Sequence, residues 1–236
     1  MTTDNSKMHN DMIIKVCGMR DRANMADVAA AGADWLGMIF WPGSPRCVGM
    51  TKSEAGIIPD TADTASACRE IGGITRVGVF VDATPQEIIT RTVAYGLDVI
   101  QLHGSETPTM MANLRKTVDP DIRPGIKLMK TISIGDAADM DRYRMYEEVA
   151  DYFLFDTRCA TAGGSGRKFG WDAIGRYGGS RPFLLSGGIG PDDVERIRAV
   201  SHPMLAGIDL NSRFETAPAV KDAALIRTFI SKLRAR

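Results

Sequence analysis

The strongest constraint on the fold is an alternation of short apolar runs with longer segments of helix-forming composition. Eight such runs occur in order: Ile13–Cys17, Trp35–Phe40, Thr75–Val81, Leu97–Leu102, Gly125–Lys130, Tyr152–Asp156, Pro182–Ser186 and Met204–Leu210. Several runs are apolar almost throughout, which is typical of parallel strands covered on both faces. Parallel neighbours need crossover connections, and the intervening segments are long enough to supply helices. The pattern therefore predicts an α/β fold of repeated strand–helix units.

Several segments between the runs carry helix-boundary signals. Asp21–Ala31 is rich in alanine, and Gly32 follows it as a left-handed helix end. Thr84-Pro85 supplies an N-cap and a proline at the first position of a helix that we expect to end near Gly96. Further helix starts are expected at Thr107-Pro108, Gly190-Pro191-Asp192-Asp193 and Lys221-Asp222.

Chain length helps to choose the architecture. Eight strand–helix units in 236 residues match a single (β/α)8 TIM barrel, whose usual length is about 250 residues. An open doubly wound sheet is the alternative, because alternation does not reveal closure. We expect one barrel domain over residues 12–236 after a polar tail over residues 1–11. Gly56 and Pro59 interrupt any helical period within Thr51–Gly73, which predicts a broken or shortened helix there.

Composition argues against several classes of function. Lys plus Arg and Asp plus Glu both total 29, so no net charge is available to attract nucleic acid or an acidic membrane. The N-terminus lacks an apolar signal segment, and no run approaches the roughly 18 apolar residues of a membrane span. The cysteines lie at scattered positions that fit neither a zinc site nor a disulfide framework: Cys17, Cys47, Cys68 and Cys159. We therefore expect a cytoplasmic protein that binds no metal.

Polar residues at the carboxyl ends of the predicted strands are the candidates for chemistry, because barrel enzymes place their reacting groups there. Cys17 ends the first run and Asp156 ends the sixth. The alternative for a free cysteine is a small buried residue, and for the aspartate a cap or turn former. Gln101 and His103 close the fourth run. The histidine is a candidate acid or base, or a support for its loop.

Two loops predict a phosphate site, since barrels often bind phosphate after strands seven and eight. Gly187 and Gly188 follow the seventh run and precede a helix expected to begin near Pro191, so backbone N–H groups would face an anion. The second half of this site would be Asp209-Leu210-Asn211-Ser212, after the eighth run. Ordinary turns are the alternative.

Two further segments bear on the ligand. Arg46, on the loop after the second run, has a guanidinium suited to bidentate capture of a carboxylate, although a lone arginine is more often a solvated charge. The glycine-rich segment Gly163–Lys168 matches neither the dinucleotide-binding pattern nor the P-loop pattern. We therefore do not expect a nucleotide site there.

Together these segments resemble the phosphoribosylanthranilate isomerases of tryptophan biosynthesis, from Ile14 almost to the C-terminus. The motifs follow the family order: Lys15-Val16-Cys17-Gly18-Met19, Gly37-Met38-Ile39-Phe40, Ser44-Pro45-Arg46, Val77-Gly78-Val79-Phe80-Val81, Gln101-Leu102-His103-Gly104, Phe155-Asp156-Thr157, Gly163-Gly164-Ser165-Gly166, Ser186-Gly187-Gly188 and Gly207-Ile208-Asp209-Leu210-Asn211-Ser212. One departure from the family pattern is Arg213, where many members have glycine.

The resemblance implies an Amadori rearrangement of N-(5-phosphoribosyl)anthranilate without metal or organic cofactor. It implies that Asp156 is the general acid at the ribose ring oxygen and that Cys17 is the general base at the second ribose carbon. Arg46 would face the anthranilate carboxylate. Gln101, His103, Asp209 and the backbone of the two phosphate loops would contact the rest of the substrate. We also expect the loop Thr157–Phe169 to close over the substrate, and association with other enzymes of tryptophan biosynthesis is a further expectation.

Two other functions fit the same features. One is a phosphosugar-binding barrel without catalytic activity, in which the acid and the base serve packing only. The other is a bifunctional isomerase that also acts on the analogous intermediate of histidine biosynthesis. That family typically uses paired aspartates at strand ends, whereas Cys17 stands here where an aspartate is expected.

Overall fold

The computed structural model of the chain describes residues 12–53, 56–59, 70–136, 138–157 and 171–235. Eight of its strands are parallel and close into one barrel, which confirms the predicted (β/α)8 architecture and excludes the open sheet. In chain order the strands are β1 (Ile13–Cys17), β2 (Trp35–Ile39), β3 (Met50–Ser53), β4 (Gly56–Pro59), β5 (Thr75–Phe80), β6 (Val99–Leu102), β7 (Lys127–Ile134), β8 (Tyr152–Thr157), β9 (Phe183–Ser186), β10 (Leu205–Leu210), β11 (Glu215–Ala217) and β12 (Val220–Lys221). The order around the barrel is β1, β10, β9, β8, β7, β6, β5 and β2.

Helices fill most of the crossover connections. They are α1 (Arg22–Ala30), α2 (Pro85–Tyr95), α3 (Pro108–Val118), α4 (Val194–Arg198) and α5 (Ala223–Arg234). The predicted caps of α2 are present, since the Thr84 side chain accepts a hydrogen bond from the Glu87 N–H and Gly96 ends the helix with a φ of 59°. Within the described ranges, 3-10 turns stand on either side of β8 instead of α-helices: Asp139–Met145 and Trp171–Arg176. None of the described helices is long and apolar enough to cross a bilayer.

The segment Thr51–Gly73 differs from its prediction. In place of a broken or shortened helix, its described first part forms the antiparallel hairpin of β3 and β4. Ile57 and Ile58 are β-branched and Pro59 has no N–H to donate, so this sequence favours an extended chain. The part over residues 60–69 lies outside the described residues.

β7 also differs from its prediction, because it continues past Lys130 to Ile134. The charge of Lys130 does not end the strand. The Lys130 side chain is buried, and its ammonium lies 2.8 Å from the Glu106 carboxylate. A buried charge that is paired in this way is compatible with a strand interior. The β-branched residues that follow Lys130 then extend the strand.

The apolar side chains form two separate groups. The larger one packs the outer face of the strands against the helices. The smaller one fills the inside of the barrel and consists of Cys17, Trp35, Val77, Val79, Val99, Met129, Leu154 and Leu184. A barrel of this kind is a packed core and not a pore. Any site must therefore lie at one end of the barrel, where this inner group meets the rim.

Candidate active site

The predicted base and acid reach the same rim of the barrel. Cys17 is the last residue of β1 and packs with the inner group. Leu154 of β8 belongs to the same group, and Asp156 shares its face because side chains alternate along a strand. In the ring, β10 and β9 separate β1 from β8. The structure thus brings a thiol and a carboxyl to the carboxyl ends of two strands that do not touch, with both side chains directed inward.

Cys17 lies beside a buried ion pair. Lys15 donates from Nζ to Asp209 Oδ1 at 2.8 Å, and its charge acts on the nearby Cys17 thiol. Burial raises the pKa of the Cys17 thiol, and Lys15 offsets this only in part. Burial also acts to lower the pKa of Lys15, but Asp209 and Cys17 outweigh it and raise that pKa. The lysine is therefore a cation next to the thiol.

The strand register explains how these groups meet. Lys15 on β1 is paired directly with Asp209 on β10, and Cys17 is paired with Gly37 on β2. A Cβ at position 37 would stand 2.9 Å from Cys17 Sγ and 3.2 Å from Lys15 Nζ. The glycine leaves the space that the thiol and the ammonium occupy.

A second set of charges lies next to Gly18, the residue that follows Cys17. The hairpin of β11 and β12 brings Glu215 and Lys221 there. Arg46 donates from Nε and Nη2 to the Glu215 carboxylate at 2.6 to 3.0 Å, and Lys221 Nζ donates to the same carboxylate at 2.6 Å. Gly18 has a φ of 81°, and a Cβ there would come within 2.7 Å of Arg46 Cδ, so glycine is required by both conformation and space.

The Glu215 carboxylate occupies only one edge of the Arg46 guanidinium. Burial acts to raise the pKa of Glu215, but its bonds to Arg46 and Lys221 outweigh this effect and lower the pKa. Arg46 Nη1 has no acceptor in the part of the chain that the structure describes. One edge of the guanidinium is thus fixed, and the other is available to a carboxylate.

Asp156 faces the residues that close β6. Its Oδ2 lies 3.7 Å from His103 Nε2, which is an electrostatic contact and too long for a hydrogen bond. Gln101 Nε2 lies 3.5 Å from His103 Nδ1 and donates to Thr131 Oγ1 at 3.0 Å. Gln101 Oε1 is buried and has no hydrogen-bond partner among the described residues. The structure therefore brings Gln101 and His103 together with the predicted acid.

A buried carboxylate fixes the loop that carries His103. Glu106 accepts hydrogen bonds from the N–H groups of Asp82 at 2.9 Å and Gly104 at 3.0 Å, and from Lys130 Nζ at 2.8 Å. Lys130 donates in turn to the Gly104 carbonyl at 2.6 Å. Each bond to a charged group of this kind is stronger than a neutral one. These hydrogen bonds therefore hold the backbone next to His103 in place.

The first predicted phosphate loop has the backbone that an anion site needs. Gly187 has a φ of 108°, and a Cβ there would collide with the Thr157 carbonyl, so only glycine fits. Gly188 has a φ of 67°, and its N–H has no acceptor in the described parts of the chain. These glycines are placed after β9, as predicted.

The helix expected at this loop begins later than predicted. α4 starts at Val194 and not near Pro191. The Gly190 N–H donates to Asp193 Oδ2 at 2.8 Å, so this turn satisfies one of the donors that the prediction assigned to an anion. The prediction failed because Asp193 forms a turn with Gly190 before the helix begins.

The polar residues of the second predicted phosphate loop have different surroundings. The Asp209 carboxylate is directed to Lys15 within the buried ion pair. Asn211 Oδ1 accepts a hydrogen bond from Lys221 Nζ at 2.8 Å. Ser212 is exposed at the start of a 3-10 turn. Its contact with phosphate, like the contacts predicted for Asp209 and Asn211 with the substrate, stays a prediction.

Three charged residues of the site were not predicted as functional from the sequence: Lys15, Glu215 and Lys221. A lysine inside the apolar run Ile13–Cys17 is a usable signal, because a charge in a covered strand needs a buried partner. Glu215 and Lys221 carry no such signal, since they lie in a polar segment. The predicted closing loop, apart from Thr157, falls outside the described residues, as does the N-terminal tail. Within the described ranges, no three His, Cys, Asp or Glu side chains are grouped as metal ligands.

Comparison with known proteins gives a consistent result. The sequence model of one family, N-(5'phosphoribosyl)anthranilate (PRA) isomerase, matches residues 14–232. A protein of Phocaeicola vulgatus named N-(5'-phosphoribosyl)anthranilate isomerase is 42% identical over 223 residues, which cover 94% of this chain and 98% of that protein. A protein of Parabacteroides distasonis with the same name is 42% identical over 222 residues, which cover 94% of this chain and 93% of that protein.

Solved structures agree with the sequence relatives. One is a crystal structure of phosphoribosyl anthranilate isomerase in complex with reduced 1-(o-carboxyphenylamino)-1-deoxyribulose 5-phosphate. It matches this chain with a TM-score of 0.74 and 26% identity, and the match covers 94% of this chain and 98% of the other. The likeness therefore extends over the whole barrel.

Proposed function

This chain belongs to the N-(5'-phosphoribosyl)anthranilate isomerase family, and we infer that it converts N-(5-phosphoribosyl)anthranilate to 1-(2-carboxyphenylamino)-1-deoxyribulose 5-phosphate. The conversion moves protons within one molecule and needs a general acid and a general base. The observation that carries the assignment of these roles is the arrangement of Cys17 and Asp156 on the inner rim of the same barrel end.

Asp156 acts as the general acid. It transfers its proton to the ribose ring oxygen, the bond between that oxygen and the first ribose carbon breaks, and an iminium forms at the anthranilate nitrogen. His103 lies 3.7 Å from the Asp156 carboxylate and sets the electrostatic environment of this step. Gln101 Oε1, which is buried and unpaired among the described residues, is an acceptor for a sugar hydroxyl.

Cys17 acts as the general base. It removes the proton from the second ribose carbon, which gives an enolamine that tautomerises to the ketone. The thiolate is the basic form, and burial raises the pKa of this thiol, so neighbouring charges must support the thiolate. Lys15 supplies one such charge, because it acts to lower the pKa of the thiol.

Two separate parts of the site bind the two acidic groups of the substrate in this proposal. The free edge of Arg46, opposite the edge held by Glu215, suits the anthranilate carboxylate. The glycine loop after β9 suits the phosphate, since the Gly188 N–H has no acceptor in the described parts of the chain and N–H groups in such loops bind anions. We place Ser212 in the same phosphate site because barrels bind phosphate between these two loops.

Replacement of each proposed catalytic group tests the assignment. Cys17→Ser and Asp156→Asn should each lower kcat by about 10²–10⁴-fold, because that is the usual contribution of a general acid or base. Affinity for the reduced product analogue should change little. Cys47→Ser and Asp121→Asn are the matched controls, and both should keep normal kcat. Wild-type turnover in the Cys17 or Asp156 variant would remove that residue from the mechanism.

The same assays separate the two other functions. A phosphosugar-binding barrel without activity would bind the product analogue in the wild type and show no turnover. A bifunctional isomerase would also convert the histidine-pathway intermediate. We place the protein in tryptophan biosynthesis in the cytoplasm, and its family of biosynthetic enzymes supports that proposal.

A further inference from the structure

The charges of a group of side chains around Cys17 do not balance, and Glu215 belongs to this group because it binds two of its cations. The side chains come from β1, the loop after β2, β10 and the hairpin of β11 and β12, and they are Lys15, Arg46, Asp209, Glu215 and Lys221. Asp209 is matched by Lys15, whereas Glu215 alone faces both Arg46 and Lys221. Three cations and two carboxylates leave one positive charge without an anion. We call these five residues the charge cluster.

Lys221 is the cation that lacks a full partner. Its side chain is completely buried, and its ammonium donates to Glu215 at 2.6 Å and to the neutral Asn211 at 2.8 Å. The same Glu215 carboxylate already accepts hydrogen bonds from Arg46. Burial lowers the pKa of Lys221, and Glu215 offsets that effect only in part. A further negative charge nearby would stabilise this ammonium.

The fold holds the Lys221 ammonium near the thiol. A Cβ on Gly18, directly after Cys17, would stand 3.4 Å from Lys221 Nζ. Asn24 of α1 fixes the backbone of the lysine on both sides: its Oδ1 accepts from the Lys221 N–H and its Nδ2 donates to the Lys221 carbonyl, each at 2.8 Å. The positive charge of Lys221 acts against the effect of burial on the pKa of Cys17.

We propose that Lys221 is a positioning residue for the isomerisation, because the uncompensated charge that it brings to the charge cluster favours the thiolate of Cys17 and opposes the effect of burial, which disfavours it. The inference rests on the proposed function, in which Cys17 is the base. In the step concerned, the bond between the second ribose carbon and its hydrogen breaks and the proton goes to Cys17 Sγ. The electron pair forms the carbon–carbon double bond of the enolamine and neutralises the iminium nitrogen.

Two substitutions within the charge cluster should act in opposite directions. Lys221→Met removes the uncompensated charge, so the pKa of Cys17 should rise by about one unit. Glu215→Gln adds a second uncompensated charge, so the pKa of Cys17 should fall by about one unit. The measurement is the pH titration of the Cys17 13Cβ chemical shift in protein labelled with [3-13C]cysteine, with the signal assigned through Cys17→Ser. At neutral pH the kcat/KM of Lys221→Met should fall by up to about tenfold, in step with the thiolate fraction.

Controls keep the test decisive. Lys221→Arg retains the charge and should restore the wild-type pKa of Cys17, even where Lys221→Met loses stability. Lys130→Met removes an equally buried lysine, paired with Glu106 away from Cys17, and should leave the pKa of Cys17 unchanged. An unchanged pKa in both Lys221→Met and Glu215→Gln, or shifts of the same sign, would overturn the proposal.

The titration does not depend on turnover, so the two proposals fail separately. If the pKa of Cys17 shifts as expected while Cys17→Ser keeps normal kcat, then Cys17 is not the base although the charge cluster acts on it. If Cys17→Ser is inactive and the pKa of Cys17 does not respond, then the catalytic role stands and the role of Lys221 is wrong.

Discussion

Gly37→Ala tests whether the position of the Cys17 thiol, the proposed base, depends on empty space at the neighbouring strand. The new Cβ would lie 2.9 Å from Cys17 Sγ, 3.2 Å from Cys17 Cα and 3.2 Å from Lys15 Nζ. Comfortable contacts between such atoms are about 3.5–4.0 Å. The sulfur must therefore move by about 0.5–1 Å, and the backbone contact at Cys17 Cα prevents β1 and β2 from absorbing the strain without cost.

The displacement sets the expected magnitudes. A misplacement of about 1 Å in a reacting group costs about 10²-fold in rate, so kcat of Gly37→Ala should fall by about 10²-fold. Insertion of a methyl group into a packed site destabilises a protein by about 1–3 kcal/mol. Binding of the reduced product analogue should change much less than kcat, because the contacts that we propose for its phosphate and carboxylate lie on other loops.

The assay compares steady-state kcat and KM with the thermal unfolding midpoint and with calorimetric binding of the product analogue. Gly72→Ala is the matched control, since a Cβ there has no heavy atom within 4 Å and should leave all of these quantities unchanged. A folded Gly37→Ala protein with wild-type kcat would refute the reasoning, because it would show that the position of Cys17 Sγ does not matter to the reaction.

Three further predictions follow from charged side chains. Glu106→Gln leaves Lys130 as a buried cation without its carboxylate, so the free energy of unfolding should fall by about 3–5 kcal/mol, as measured by urea denaturation. Burial acts to raise the pKa of Asp98, but hydrogen bonds from Arg76 and a second arginine outweigh it and lower the pKa. Asp98→Asn should therefore be less stable than the wild type above pH 4, and the difference in stability should disappear as the pH falls through the lowered pKa of Asp98. Thermal unfolding at several pH values measures this difference. A difference that does not change with pH would contradict the prediction. The guanidinium of Arg213 lies against Gly190 of the first predicted phosphate loop. Arg213→Ala should therefore raise KM several-fold with kcat unchanged and weaken inhibition by inorganic phosphate. Equal inhibition constants would exclude a phosphate contact.

The barrel was predictable from the sequence because its strands are covered on both faces. A covered strand leaves an apolar run with no alternation, and the eight runs recur at the spacing that strand–helix units require. Local signals also placed the helix caps, as at Thr84 and Gly96. The hairpin of β3 and β4 was missed because glycine and proline exclude a helix without indicating which extended structure replaces it.

The rim residues were predictable for a different reason. Cys17 and Asp156 end apolar runs, and parallel strands bring their carboxyl ends to one side. The partners of the thiol were not predictable from spacing. Lys15 and Asp209 are 194 positions apart in the chain, and Arg46 and Glu215 are 169 positions apart. No local pattern links residues at such separations.

Closure of the barrel is what creates the charge cluster. In an open sheet that begins with β1 and ends with β10, these two strands would be the opposite edges, and Lys15 would lie far from Asp209. In the closed ring β1 and β10 are neighbours, and their register sets the lysine directly beside the aspartate. The hairpin after β10 then reaches the loop after β2, where Glu215 meets Arg46. The environment of Cys17 is therefore a property of the closed ring, because the charges on β10 and on the hairpin after it reach the thiol only where β10 pairs with β1.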